Sequence, residues 1–284
     1  MNLIKTVKEV QEAVNSMRKE GKSIGFVPTM GALHEGHLSL VKQSISDNDI
    51  SIVSIFVNPT QFNNKEDLDK YPRTLDEDCK FLEKAGVDII FAPSVEEIYP
   101  EPDTRQFDFG KIDKVMEGTH RLGHFNGVAQ VVSRLFDIVK PDKAYFGEKD
   151  FQQLAIIREM VNQLKLNIEI VPMPIMREAS GLALSSRNAR LSLKQKQDAL
   201  KISENLLGYK EKWTQYPVEE LKQIVIDKIN SIDSLEVEYF EIVDGYSLQP
   251  ISNWDETKYA VGCIAVFCGD VRLIDNVTYY QSGN

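Results

Sequence analysis

The chain has 284 residues, enough for one large or two moderate domains whose core needs no staples. A formal net charge of −10 argues against broad binding to nucleic acid or to an anionic membrane, since either requires a basic face. No apolar run reaches the roughly 18 residues that cross a bilayer, and the opening MNLIKTVKEVQEAV is amphipathic and polar rather than secretory, so a cytoplasmic location is expected.

Thr6 with Glu9 makes a capping box for a helix through Met17, and Gly21 is placed to stop it. Residues 24–27 are an apolar run that reads as a buried strand closed by Pro28, because proline cannot sit inside a central strand. The chain must then turn, with Gly31 and Gly36 allowing tight backbone, before Leu38, Leu40, Val41 and Ile45 give the spacing of a packed helix. His34 and His37, three apart in its first turn, point the same way. A helix N-terminus offers unpaired N–H groups and a positive dipole end, so this stretch suits a phosphate. H-E-G-H lacks the i, i+4 histidines of a zincin site, and the competing reading of the pair is a capped, packed helix start.

Residues 51–57 (SIVSIFV) read as a second buried strand ending in N-P-T-Q-F. The charged NNKEDLDKYPR that follows has no apolar period and reads as a surface loop. Thr74 and Glu77 suggest a second capping box, for a helix up to Gly86, and a third strand covers 88–92. Residues 93–126 are irregular, with His120, Arg121 and His124 in a glycine-rich loop as candidates for anion contacts. A helix at 128–139, a strand at 144–146, a helix opening at G-E-K-D-F-Q-Q and a strand at 168–171 complete the alternation. Beyond residue 193 the texture changes to helices at 193–213 and 218–232, then strand-like runs at 237–243, 259–267 and 271–275. The expected fold is α/β: a Rossmann-like parallel-sheet domain over 1–175, then a smaller α+β C-terminal domain over 176–284. Cys79, Cys263 and Cys268 have no metal-ligand or CxxC spacing and read as reduced thiols.

Open parallel sheets bind ligands outside the carboxyl ends of their strands, where this reading places each of the chemically suggestive strings. Lys149 stands like a phosphate-reaching lysine, with Asp150 able to cap a helix or bind ribose; a solvated Glu-Lys-Asp run is the alternative. Ser185, Ser186 and Arg187 offer hydroxyls, backbone N–H groups and a guanidinium for a phosphate clamp, or else a serine-capped helix start. Gln61 and Gln153 suit a small polar substrate, or are ordinary surface and capping residues.

The strings PTMGALHEGH, FVNPTQF, YPR, GHFNGV, FGEKDFQQ and LALSSRN occur in that order. In this combination the chain resembles, end to end, the pantothenate synthetase (pantoate–β-alanine ligase) family of the nucleotidyltransferase group, whose H-x-G-H stands here as His34, Glu35, Gly36, His37. The resemblance implies a cytoplasmic, homodimeric, ATP-dependent ligase that forms a pantoyl adenylate and then pantothenate, AMP and pyrophosphate, with magnesium and a C-terminal lid. It implies ATP on Met30, Gly31, Ala32, Leu33 and the four residues of H-x-G-H; on Gly147, Glu148, Lys149 and Asp150; and on Met176, Leu184, Ser185, Ser186 and Arg187. Pantoate falls on Gln61 and Gln153 with Asn58 in support, and β-alanine on Gln61. His37, His34, Lys149 and Arg187 form the catalytic set, with no residue assigned to a metal and with residues 63–73 as a second candidate lid. Two rivals stay open: another adenylyl- or cytidylyltransferase, and a nucleotide-sensing protein that has lost turnover.

Overall fold

The computed structural model describes residues 1–62 and 65–282. The chain divides into two compact units, one of Met1–Phe109, Arg121–Glu148 and Gln153–Pro174, the other of Gly110–His120, Lys149–Gln152 and Ile175–Asn284.

In the first unit strands and helices alternate: β1 (Asn2–Ile4), α1 (Val7–Lys19), β2 (Ile24–Thr29), α2 (Glu35–Asp47), β3 (Ile50–Ile55), α3 (Lys65–Lys70), α4 (Leu75–Ala85), β4 (Ile89–Phe91) and α5 (Val95–Ile98). A short helix α6 (Glu117–His120) belongs to the second unit, after which come α7 (His124–Val139), β5 (Lys143–Gly147), α8 (Phe151–Gln163) and β6 (Glu169–Met173). The six strands form one sheet, ordered β1-β4-β3-β2-β5-β6, with every neighbouring pair parallel. Leaving β1 aside, this is the order of a Rossmann-like sheet. Successive side chains of β2 serve opposite faces: Val27 packs with Val41 of α2 and Leu82 of α4, while Phe26 meets Phe136 of α7 edge-on at 6.3 Å. Helices on both faces explain why β2 reads as a continuous apolar run, with Ile24, Phe26 and Val27 at 0% exposure.

Several expected boundaries move. Pro28 lies inside β2 rather than closing it; the pairing with β5 covers only Gly25 and Phe26, so the missing N–H falls beyond the two-sided part of the strand. Residues 65–70, expected as loop, form α3, which carries a Glu66–Lys70 pair at 3.5 Å; Asn63 and Asn64 of the candidate lid lie outside the described residues. Thr6 does cap α1 through the Glu9 N–H, whereas Thr74 makes no such bond and donates its hydroxyl to Asp78 instead. Strand β1 has no counterpart among the expected elements, being three residues long with two of them exposed.

The second unit contains α9 (Leu193–Gly208), α10 (Val218–Asn230) and the antiparallel sheet β7 (Leu235–Asp244), β8 (Tyr259–Cys268), β9 (Val271–Gln281), in the order β7-β8-β9. Leu206, Leu221, Val225 and Ile229 of the helices share one core with Phe240, Ile242, Ile264 and Val266 of the sheet. Helix α9 ends short of residue 213; Trp213 sits in a separate turn and stacks on Tyr280 at 4.6 Å. Burial raises the Cys263 thiol well above its ordinary range, which keeps it protonated. Among the described residues, no helix is long and apolar enough to cross a membrane.

Candidate functional site

From β2 the sheet grows through β3 and β4 on one side and through β5 and β6 on the other, so the strand order reverses between β2 and β5. The crevice of an open parallel sheet forms at such a reversal, outside the carboxyl ends. Residues 30–37 follow β2 there, Gly147 and Glu148 lie at the end of β5, and residues 58–61 follow β3. Three of the suggestive strings thus share one sheet edge.

The turn after β2 is built from within. Thr29 donates its hydroxyl to the Ser54 carbonyl at 2.7 Å and accepts the Gly31 N–H at 3.2 Å. Gly31 (φ 83°) and Ala32 (φ 50°) are left-handed, and a Cβ on Gly31 would stand 3.1 Å from both Asp78 Oδ2 and Ile55 Cγ2, so a side chain there would be strained by the backbone and would press on Asp78. Asp78 reaches in from α4 and is 3% exposed; its carboxylate accepts the Ala32 N–H at 3.0 Å, the Leu33 N–H at 2.8 Å and the Thr74 hydroxyl at 3.1 Å. A buried carboxylate needs such donors, and in return it fixes the backbone that delivers His34. Asp78→Ala leaves two backbone N–H groups without acceptors and should lower stability by about 2–4 kcal/mol in denaturant titration.

His34 is the N-cap of α2: its Nδ1 accepts the Gly36 N–H at 3.1 Å, while His37 Nδ1 accepts the His34 N–H at 3.3 Å. The two rings lie 4.1 Å apart, centroid to centroid. A ring nitrogen that accepts carries no proton, so each neutral imidazole holds its hydrogen on Nε2. The cap and the anion site, rivals in the sequence, are therefore compatible: capping sets the tautomer that donates from Nε2.

Gln61 sits in a short turn, Pro59–Gln61, seated on α7. A Cβ on Gly127 would come 2.4 Å from the Thr60 carbonyl oxygen, so the turn and the helix touch backbone to backbone. His124 Nδ1 lies 2.8 Å from the Gln61 carbonyl oxygen, and Gln61 Nε2 is 2.8 Å from Met30 Sδ. Asn58 is 1% exposed; its amide donates to the Gly127 carbonyl and, at 3.4 Å, to Gln61 Oε1, and its oxygen accepts from Thr60 and Tyr99. Asn58 therefore steadies Gln61 from within the chain. Gln153 is half-buried in the first turn of α8.

In the second unit Lys149 and Ser185 line one small cavity together with Asn188 and Asp275. Ser185 Oγ accepts the Arg187 N–H at 3.3 Å and caps the turn Ser186–Arg190, while the Leu184 N–H bonds to the Met176 carbonyl at 3.0 Å. Met176 and Asp150 are exposed. The expected anion contacts at His120, Arg121 and His124 dissolve for two of the three. His124 is 5% exposed within α7, and His120 stacks on Tyr239 at 5.3 Å with Nδ1 3.8 Å from Glu238, a carboxylate neighbour unsuited to an anion. Among the described residues no group of three His, Cys, Asp or Glu side chains could hold a metal ion.

A Rossmann-like sheet whose switch point carries a helix N-terminus with two histidines defines an α/β protein built to bind a phosphate-bearing ligand. The chain belongs to the pantoate-beta-alanine ligase family, whose model matches residues 2–278. It is 59% identical over 282 residues to the pantothenate synthetase of Bacteroides fragilis (strain YCH46), covering 99% of this chain and 100% of the relative. The crystal structure of pantothenate synthetase from Thermus thermophilus is similar with a TM-score of 0.92 at 42% identity, covering 99% of this chain and 100% of that one. The pantoate-beta-alanine ligase of Francisella tularensis, solved with beta-gamma ATP and beta-alanine, gives a TM-score of 0.84 at 38% identity and 98% coverage of each chain.

Proposed function

We propose that this chain condenses pantoate with β-alanine at the expense of ATP, releasing AMP and pyrophosphate. The observation that carries this is the family match over residues 2–278, end to end rather than over the nucleotide motif alone. In the first step a pantoate carboxylate oxygen attacks the α-phosphorus and the bond to pyrophosphate breaks, giving pantoyl adenylate. In the second the β-alanine amine attacks the acyl carbonyl, AMP leaves, and the amine loses a proton.

Neither step needs a nucleophile from the protein; both need fixed donors where charge builds on phosphate. We assign that task to His34 and His37 through Nε2–H, and to Lys149, Ser185, Ser186 and Arg187. Residues 30–37, Gly147, Glu148, Asp150, Met176 and Leu184 complete the ATP contacts, and Gln61 and Gln153 hold pantoate, with Gln61 also serving β-alanine. Magnesium, when bound with the triphosphate, would neutralise charge on its phosphate oxygens. A cytoplasmic location and a homodimer belong to the same reading and rest on the family resemblance; sedimentation velocity tests the second.

The deciding experiment is a coupled assay for AMP with pantoate and β-alanine each omitted in turn. AMP release that requires both supports the ligase; pyrophosphate with a stable nucleotide conjugate and no need for the amine points to a simple nucleotidyltransferase. Gln61→Ala should raise the KM for pantoate roughly tenfold, the loss of one hydrogen bond, with the KM for ATP within about twofold. Equal weakening of both substrates contradicts the assignment.

A further inference from the structure

Strand β9 carries three polar side chains that grip segments from far earlier in the chain. Arg272 forks onto Glu117 at 2.9 and 2.7 Å, Asp275 receives Arg177 at 2.6 and 2.9 Å, and the Asn276 amide donates to the Lys149 carbonyl at 3.0 Å. Asp275 and Asn276 are 5% and 7% exposed. Burial works against the charge of Arg272, but Glu117 and Glu238 outweigh it and hold the guanidinium above its ordinary range. Strand packing alone is better served by β-branched apolar residues, and a buried polar side chain is costly unless bonded, so the partners explain the polar choice. One partner segment is Lys149–Gln152, tied down a second time by Gln152, which donates to the Ile112 and Val115 carbonyls and accepts the Glu117 N–H.

We infer that Asn276 is a positioning residue for Lys149: by fixing the lysine's own carbonyl it sets the direction in which the side chain leaves the backbone and keeps it in register with Ser185 across their shared cavity. This rests on the proposed role of Lys149 at the phosphates. Asp275, gripping the Arg177 end of the hairpin that leads to Ser185, holds the other side of that register.

The test compares Asn276→Ala and the isosteric Asn276→Asp, which keeps the volume but turns the donor into an acceptor facing a carbonyl. Pantoate-dependent ATP–pyrophosphate exchange should fall ten- to a hundredfold in kcat for both, with the KM for pantoate within twofold; the thermal midpoint should drop modestly in the alanine variant, which loses one buried hydrogen bond, and further in the aspartate variant. Should the aspartate variant not fold, the alanine variant and Asn276→Ser, neither of which buries a charge, decide. Exchange within twofold of the parent in a folded variant overturns the inference, as does a parallel loss of kcat, pantoate KM and thermal midpoint, which marks a merely structural residue. Lys149→Ala, run alongside, separates the two readings: normal exchange there removes the lysine from the mechanism, whereas collapsed exchange there with intact Asn276 variants removes Asn276 alone.

Discussion

Lys149→Ala should slow pantoate-dependent ATP–pyrophosphate exchange by about a hundred- to a thousandfold, the usual loss when one preorganised donor to a developing phosphate charge is removed. Exchange is the right readout because it reports adenylate formation without β-alanine. The fold should survive, since the side chain is only half-buried and the contact that ties this segment to β9 uses the backbone carbonyl, which alanine retains. Lys149→Arg should recover only part of the rate: the charge remains, but a planar fork replaces a compact ammonium at a site fixed from its own peptide. Near-normal exchange in the alanine variant would leave the lysine as a solvated residue of a Glu-Lys-Asp run.

The sheet was legible because β2 and β3 are continuous apolar runs with punctuation at their ends, the mark of strands covered on both faces. Elements as short as β1 and α3, three and six residues, left no period to read. At the site, His34 and His37 were legible as a pair because helix geometry alone brings them together, three residues apart. Asp78 escapes the sequence reading of the site, although a signal exists: with Leu75 and Leu82 it shares a helical face, and a carboxylate on an apolar face needs a buried partner. Asn276 is one of several polar residues of β9, and nothing local names Lys149 as its partner. The same holds for Gly110–His120, whose place in the second unit is set by Glu117 meeting Arg272 and Tyr239, contacts more than a hundred residues apart in the chain.

His37 can be dissected by two substitutions that split its imidazole. In His37→Asn the side-chain oxygen stands near the position of Nδ1 and can still accept the His34 N–H, but nothing reaches the position of Nε2. Exchange should fall about a hundredfold or more, with the thermal midpoint preserved. In His37→Gln the longer amide can place an N–H near Nε2 while giving up the acceptor at Nδ1, so this variant should keep more activity and lose about 1 kcal/mol of helix-cap stability. The order matters more than either value. If His37 acts as an Nε2 donor, the glutamine variant is the faster and less stable of the two. An asparagine variant that is faster than the glutamine variant would mean that His37 serves catalysis only by capping α2.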